Sequence, residues 1–117
     1  MRKVLLFLII IYLIVIYYFS SIPVPKPLRD KPDILLHFLE YGGLGTLFFF
    51  YYSDFFRKKI EFPVLLFILS FTLLYAISDE FHQSFVPGRT PSVKDVIVDF
   101  VGASFFLIIF NLRTENE

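Results

Sequence analysis

The side chains with most capacity for chemistry fall in two stretches, His37 to Tyr41 and Asp79 to Asp99. His37 lies three residues before Glu40 and four before Tyr41, so on a helix the three share a face. His with Glu suits a general base and its orienter, or two metal ligands. The structural alternative is an interfacial His and a Glu paired with Arg89 or Lys31. Asp79 lies three before His82 and four before Gln83, so these point one way and Glu80 points another. Asp79 or Glu80 would act as general base with His37 as its partner or a metal ligand. Gln83 would fix a donor or acceptor on a ligand. A solvated helix end is the competing account of Glu80 and His82.

Val86-Pro87-Gly88-Arg89 reads as a type II turn, with Pro and Gly in its two central positions. That turn is expected to aim Arg89 back at the carboxylates. Its planar fork suits phosphate or carboxylate, and an ion pair with Asp79 or Asp95 is the alternative. Ser92-x-x-Asp95 fits a capping box opening a helix, which gives Asp95 a structural role beside a ligand-binding one. Asp99 lies one turn deeper on the same face, where no cap needs it. It should pair with Arg89, His37 or Lys94, or line a wet cavity. The spacing of His37, Glu40, Glu80 and Asp95 permits a divalent ion without requiring one, so metal and cofactor stay unassigned.

Familiar catalytic templates are absent. There is no GxSxG, HExxH, GxxxxGK[ST] or CxxC. Ser20, Ser84 and Ser92 lack a nucleophile elbow, and the Ser-Gly-His stretch of membrane-lipid phosphatases is missing. With no cysteine in the chain, disulfides, thiolate metal sites and Cys nucleophiles are excluded.

These groups must be positioned by very apolar elements. The chain has 117 residues, one domain's length, 56% hydrophobic, with 17 Phe. That excess argues against a disordered chain and against an ordinary water-soluble domain. Zero net charge gives no basis for a nucleic-acid partner. The expectation is an all-α membrane protein with four transmembrane helices at about 4–20, 34–53, 62–80 and 95–112, arranged as two antiparallel hairpins. A bilayer core takes roughly 17 to 25 helical residues. The first run, with its three tyrosines and its Ser20-Ser21-Ile22-Pro23 end, suits a spanning helix better than a cleaved signal peptide. Prolines from Pro23 to Pro32 break the chain into a wet loop, and Asp33 is the expected cap of the second helix. Gly42, Gly43 and Gly45 are expected to serve close helix packing.

On that topology Arg2, Lys3, Arg57, Lys58, Lys59 and Arg113 share one side, against Lys26, Arg29, Lys31, Arg89 and Lys94 on the other. The first set sits close to helix ends, and the second lies partly among acids. The positive-inside rule then puts both termini in the cytoplasm. Most of the acids and both histidines gather at the opposite, outer rim. An ionisable group at a helix centre costs roughly 2.5–3.5 kcal/mol, so Glu40 and Asp99 need partners, water or a function.

Two blocks carry a resemblance to the VanZ-like family of small membrane proteins. Asp33-Ile-Leu-Leu-His37-Phe-Leu-Glu40-Tyr41-Gly42-Gly43-Leu44-Gly45 resembles the family's K-x-x-H-F-x-x-Y-x-x-L-G block, with Lys31 displaced. The run from Ser78 through Asp79-Glu80, Gln83, Phe85, Pro87-Gly88-Arg89, Ser92, Asp95 and Asp99 to Gly102 resembles the D-E-x-x-Q-x-F-x-P-G-R-x-x-S-x-x-D-x-x-x-N-x-x-G block. The family often has Asn where this chain has Asp99, so the resemblance does not require a charge there. It implies a bacterial cytoplasmic membrane and a cell-envelope setting. The family's namesake is associated with resistance to the glycopeptide teicoplanin.

The resulting expectation is an envelope protein that modifies or handles a lipid-linked or cell-wall precursor, or meets a glycopeptide, at its outer face. Membrane lipid is the expected partner. The alternatives are a non-enzymatic binding or structural protein, its polar cluster a satisfied network locking the helices, and a subunit of a complex or oligomer.

Overall fold

The computed structural model of the protein describes residues 1–24 and 34–114. The expected cap Asp33, the loop cations Lys26, Arg29 and Lys31, and the tail beyond Thr114 lie outside the described residues. The described residues form four α-helices and no strand: α1 (Arg2–Ser20), α2 (Ile34–Ser53), α3 (Phe62–Gln83) and α4 (Val93–Arg113). Local chemistry sets their ends. Pro63 occupies the first turn of α3, where its missing N–H costs nothing. The Ser92 side chain caps α4 by accepting from the Asp95 N–H at 3.2 Å. α3 continues to Gln83, past the expected residue 80, so Glu80, His82 and Gln83 sit on a regular helix.

Three helices are long and apolar enough to cross a membrane by length and composition: α1 (mean hydropathy 2.4), α2 (1.3) and α3 (1.9). α4 carries Lys94, Asp95, Asp99 and Arg113.

The heart of the packing is α2 against α4, which are not consecutive in the chain. Their backbones nearly touch. A Cβ on Gly45 would collide with the Ala103 carbonyl, and one on Gly102 with the Phe38 carbonyl. The same glycine run serves α1, because a Cβ on Gly43 would meet the Tyr12 hydroxyl. Close approach explains these glycines, as expected for packing between helices without a hydrophobic force to drive it. Around this seam Tyr41, Leu44, Phe49, Ile68, Ala76 and Leu107 are buried.

The two ends of the bundle differ. At one, Arg2 stacks over the Tyr51 ring at 4.7 Å, and Arg57 and Lys58 are exposed. We call this the basic end. Here the buried side chain of Asn111 bridges both backbone groups of Ile60, accepting at 2.7 Å and donating at 3.1 Å, which ties α4 to the entry of α3. Asp54, Phe55 and Phe56 all adopt left-handed backbone (φ 51, 57 and 68), which costs non-glycine residues about 1–2 kcal/mol each. The Phe56 N–H bonds the Ser53 hydroxyl at 3.2 Å, and its ring packs on Phe49. At the other, polar end lie Ser20, His37, Gln83 and the turn into α4.

Candidate functional site

At the polar end the side chains separate into two buried nests. The first centres on Asp79 of α3. Its Oδ1 accepts a short hydrogen bond from Ser20 of α1, and its Oδ2 accepts from the Tyr41 hydroxyl of α2 at 3.3 Å. Gln83, one turn on, donates to the Ser20 hydroxyl at 3.3 Å. Three helices are joined through one carboxylate with both oxygens bonded. Asp79 and Gln83 thus face α1 and α2 together, as their spacing predicts.

The second nest joins α2, α3 and α4. The His37 ring Nδ1 lies 2.8 Å from Asp99 Oδ1, both groups buried. So Asp99 takes His37 from among the partners its depth suggested. Glu80 is buried too, at 5% exposure, where a solvated helix end was one expectation. Its Oε2 accepts from the Ser92 backbone N–H at 3.0 Å. This revises the capping box. Ser92 caps Asp95 as the sequence suggests, but the reciprocal acceptor for the Ser92 N–H is Glu80 of α3. Asp95 itself is half-buried. Glu80 Oε1 and Asp99 Oδ2 are buried with no hydrogen-bond partner among the described residues.

Beside the nests lies a cavity of about 610 Å³. Its walls are mostly apolar, from Tyr12, Val15, Ile16 and Phe19 of α1 and Leu36 and Leu39 of α2, and its polar lining is Ser20, His37, Glu40, Gln83 and Arg89. His37 and Glu40 meet it together, as three-residue spacing on one helix face requires. A second hollow of about 480 Å³, walled by Leu8, Ile11, Gly43, Leu47 and Phe50, runs down the α1–α2 face and shares Tyr12 and Val15 with the first. Tyr12 stands at the border between them, its hydroxyl donating to the Glu40 carbonyl at 2.5 Å.

Arg89 departs from expectation. The type II turn forms, with Gly88 at φ 80 and the Arg89 N–H on the Val86 carbonyl at 3.1 Å. Yet Arg89 does not turn to Asp79 or Asp95. Its Nη2 and Nε donate to the Phe19 and Ile22 carbonyls at 2.7 and 3.1 Å. Carbonyls at and just beyond the C-terminal end of α1 attract a cation. The side chain still reaches the cavity wall. His82 stacks on Tyr17 at 4.3 Å between ring centroids, with its Nε2 2.8 Å from the Ser21 hydroxyl, away from both nests.

Sequence reasoning overlooked Ser20, considered only as a nucleophile, and the Glu80–Ser92 link. A signal for Ser20 existed: Ser20-Ser21 is the polar end of an otherwise apolar run, at the depth of the α3 acids.

A family model described as VanZ/LLP1 matches residues 34–114, a span that holds the second nest and all of the first except Ser20. A protein of the fission yeast Schizosaccharomyces pombe, described as uncharacterized, is 31% identical over 109 residues, covering 92% of this chain. The chain spans 63% of that relative's length. Family likeness therefore extends to a eukaryote and does not by itself place the chain in a bacterium. No solved structure matches. With the family's two polar blocks folded into adjoining nests, and its model matched across α2 to α4, the chain belongs to the VanZ-like family.

Proposed function

We propose that this protein is a four-span membrane protein that binds a membrane amphiphile, with the headgroup in the polar-lined cavity and the tail along the α1–α2 groove. The observation that carries the reading is the pair of adjoining hollows that share Tyr12 and Val15, one lined by His37, Glu40, Gln83 and Arg89, the other almost wholly apolar. Sites for small molecules combine mainly apolar walls with a few placed polar groups, as this one does. A lipid-linked envelope precursor is the amphiphile class we assign, and an altered teicoplanin response in a bacterial host is the phenotype by which its handling would show.

Crossing by α4 is supported by its outer face. Val93, Ile97, Val101, Phe105, Ile108 and Leu112 form one exposed apolar column along the helix. Lipid covers such a column, and its charged Asp99 is turned inward. The four helices then cross as two antiparallel hairpins with the basic end in the cytoplasm, and the cavity near the outer face.

The test is mass spectrometry of the protein released from lipid nanodiscs under stepwise activation. One amphiphile per chain should survive after the surrounding lipids are stripped. Release of every lipid at the same low activation would overturn the reading. Chemistry on the bound headgroup is a second reading, favoured by His37, which lines the cavity and is oriented by Asp99 at 2.8 Å.

A further inference from the structure

The second nest contains something the amphiphile reading does not use. His37, Glu80 and Asp99 come from three helices, all are buried, and each offers a ligand atom within 4.8 Å of the others. Two carboxylate oxygens there, Glu80 Oε1 and Asp99 Oδ2, have no hydrogen-bond partner among the described residues. Buried carboxylate oxygens normally find a donor, and one left without is destabilising, the more so when it is charged. Asp99 is fully buried and Glu80 is 5% exposed, so bulk water does not satisfy them. Among the described residues no Lys or Arg makes an ion pair with either acid.

We propose that His37, Glu80 and Asp99 form a divalent transition-metal site. One imidazole and two carboxylates make a nitrogen–oxygen donor set of the kind that suits Zn²⁺ or Mn²⁺, and the cysteine-free chain offers no thiolate. Glu80 would bind through Oε1 alone, keeping Oε2 on the Ser92 N–H, which fixes the ligand from behind. Three protein ligands leave a coordination position for water or for an oxygen of a bound molecule. His37 belongs both to this set and to the cavity wall, so the metal would stand beside the bound headgroup. The site does not depend on the amphiphile reading, because metal binding is measured on delipidated protein.

The test is equilibrium dialysis of tag-free, chelator-treated protein in detergent against ⁶⁵Zn²⁺ and, separately, Mn²⁺. One equivalent per chain should bind, and thermal unfolding should shift upward with metal concentration. Glu80→Gln and Asp99→Asn should each weaken binding at least about tenfold. Asp54→Asn, at the basic end far from the set, should leave it within about twofold of the parent protein. Failure of the parent protein to bind either metal stoichiometrically overturns the proposal. So does binding that survives both substitutions. If those variants do not fold, X-ray absorption of the metal-loaded His82→Gln protein decides. His37 is then the only histidine, and one imidazole should appear in a nitrogen–oxygen shell at about 2.0–2.2 Å. A shell without imidazole overturns the site.

Discussion

At the scale of single residues, the carboxylates do different work although they stand in one short stretch. Asp79 has both oxygens bonded, by Ser20 and Tyr41, and reads as a lock among α1, α2 and α3. Tyr41→Phe should therefore cost about 1–3 kcal/mol of stability in detergent, measured by thermal unfolding, while lipid retention persists because Tyr41 does not line the cavity. Retained stability would show that the Asp79 network holds nothing together. Spacing made part of this legible. His37 with Glu40, and Asp79 with Gln83, follow from helical geometry alone. The Glu80–Ser92 link and the turn of Arg89 toward α1 were not legible, because each joins elements whose relative placement no local pattern encodes. Arg89 illustrates the physical reason: carboxylates and carbonyls at a helix end both attract a guanidinium, and only the fold says which lies within reach.

Among the helices, the seam between α2 and α4 governs the architecture. Glycines 42, 43 and 45 announced close packing in the sequence, although not which partner each would meet. Gly45→Val places a side chain against the Ala103 backbone, which has little freedom to give way. The expected loss is about 1–3 kcal/mol, checked by circular-dichroism melting in detergent. Gly43→Ala meets instead the far end of the Tyr12 side chain and should cost less. The turn after α2 makes the opposite prediction. Asp54 has φ 51, and its 3.6 Å pairing with Arg57 is exposed and weak. Asp54→Gly should raise stability by about 1 kcal/mol, and a lowered melting temperature would count against a strained turn.

Across the whole molecule, an equal number of acidic and basic residues hides a polarity from end to end. Arg2, Arg57, Lys58 and Arg113 mark one end, and the buried acids with both histidines mark the other. The absence of cysteine makes this directly measurable. Single-cysteine variants Ser84→Cys, Lys58→Cys and Arg113→Cys should label with an impermeant maleimide from opposite sides, Ser84 from outside and the other two only after permeabilisation. Labelling of Arg113→Cys together with Ser84→Cys would mean that α4 does not cross. Sequence hydropathy delivered the helices and the segregation of charge. It was silent on the hollows, which arise from the way α1 leans on α2 with Tyr12 between them.

Val15 lines both hollows, whereas its neighbour Ile14 lines neither. Trp at each position puts the same large side chain on the same helix, so the comparison separates the site from general effects on α1. The deciding measurement is the amphiphile retained per chain by Val15→Trp and Ile14→Trp after stepwise activation from nanodiscs. Ile14→Trp is expected to keep one bound amphiphile and Val15→Trp to lose it while remaining folded. Equal retention by two folded variants would contradict that expectation.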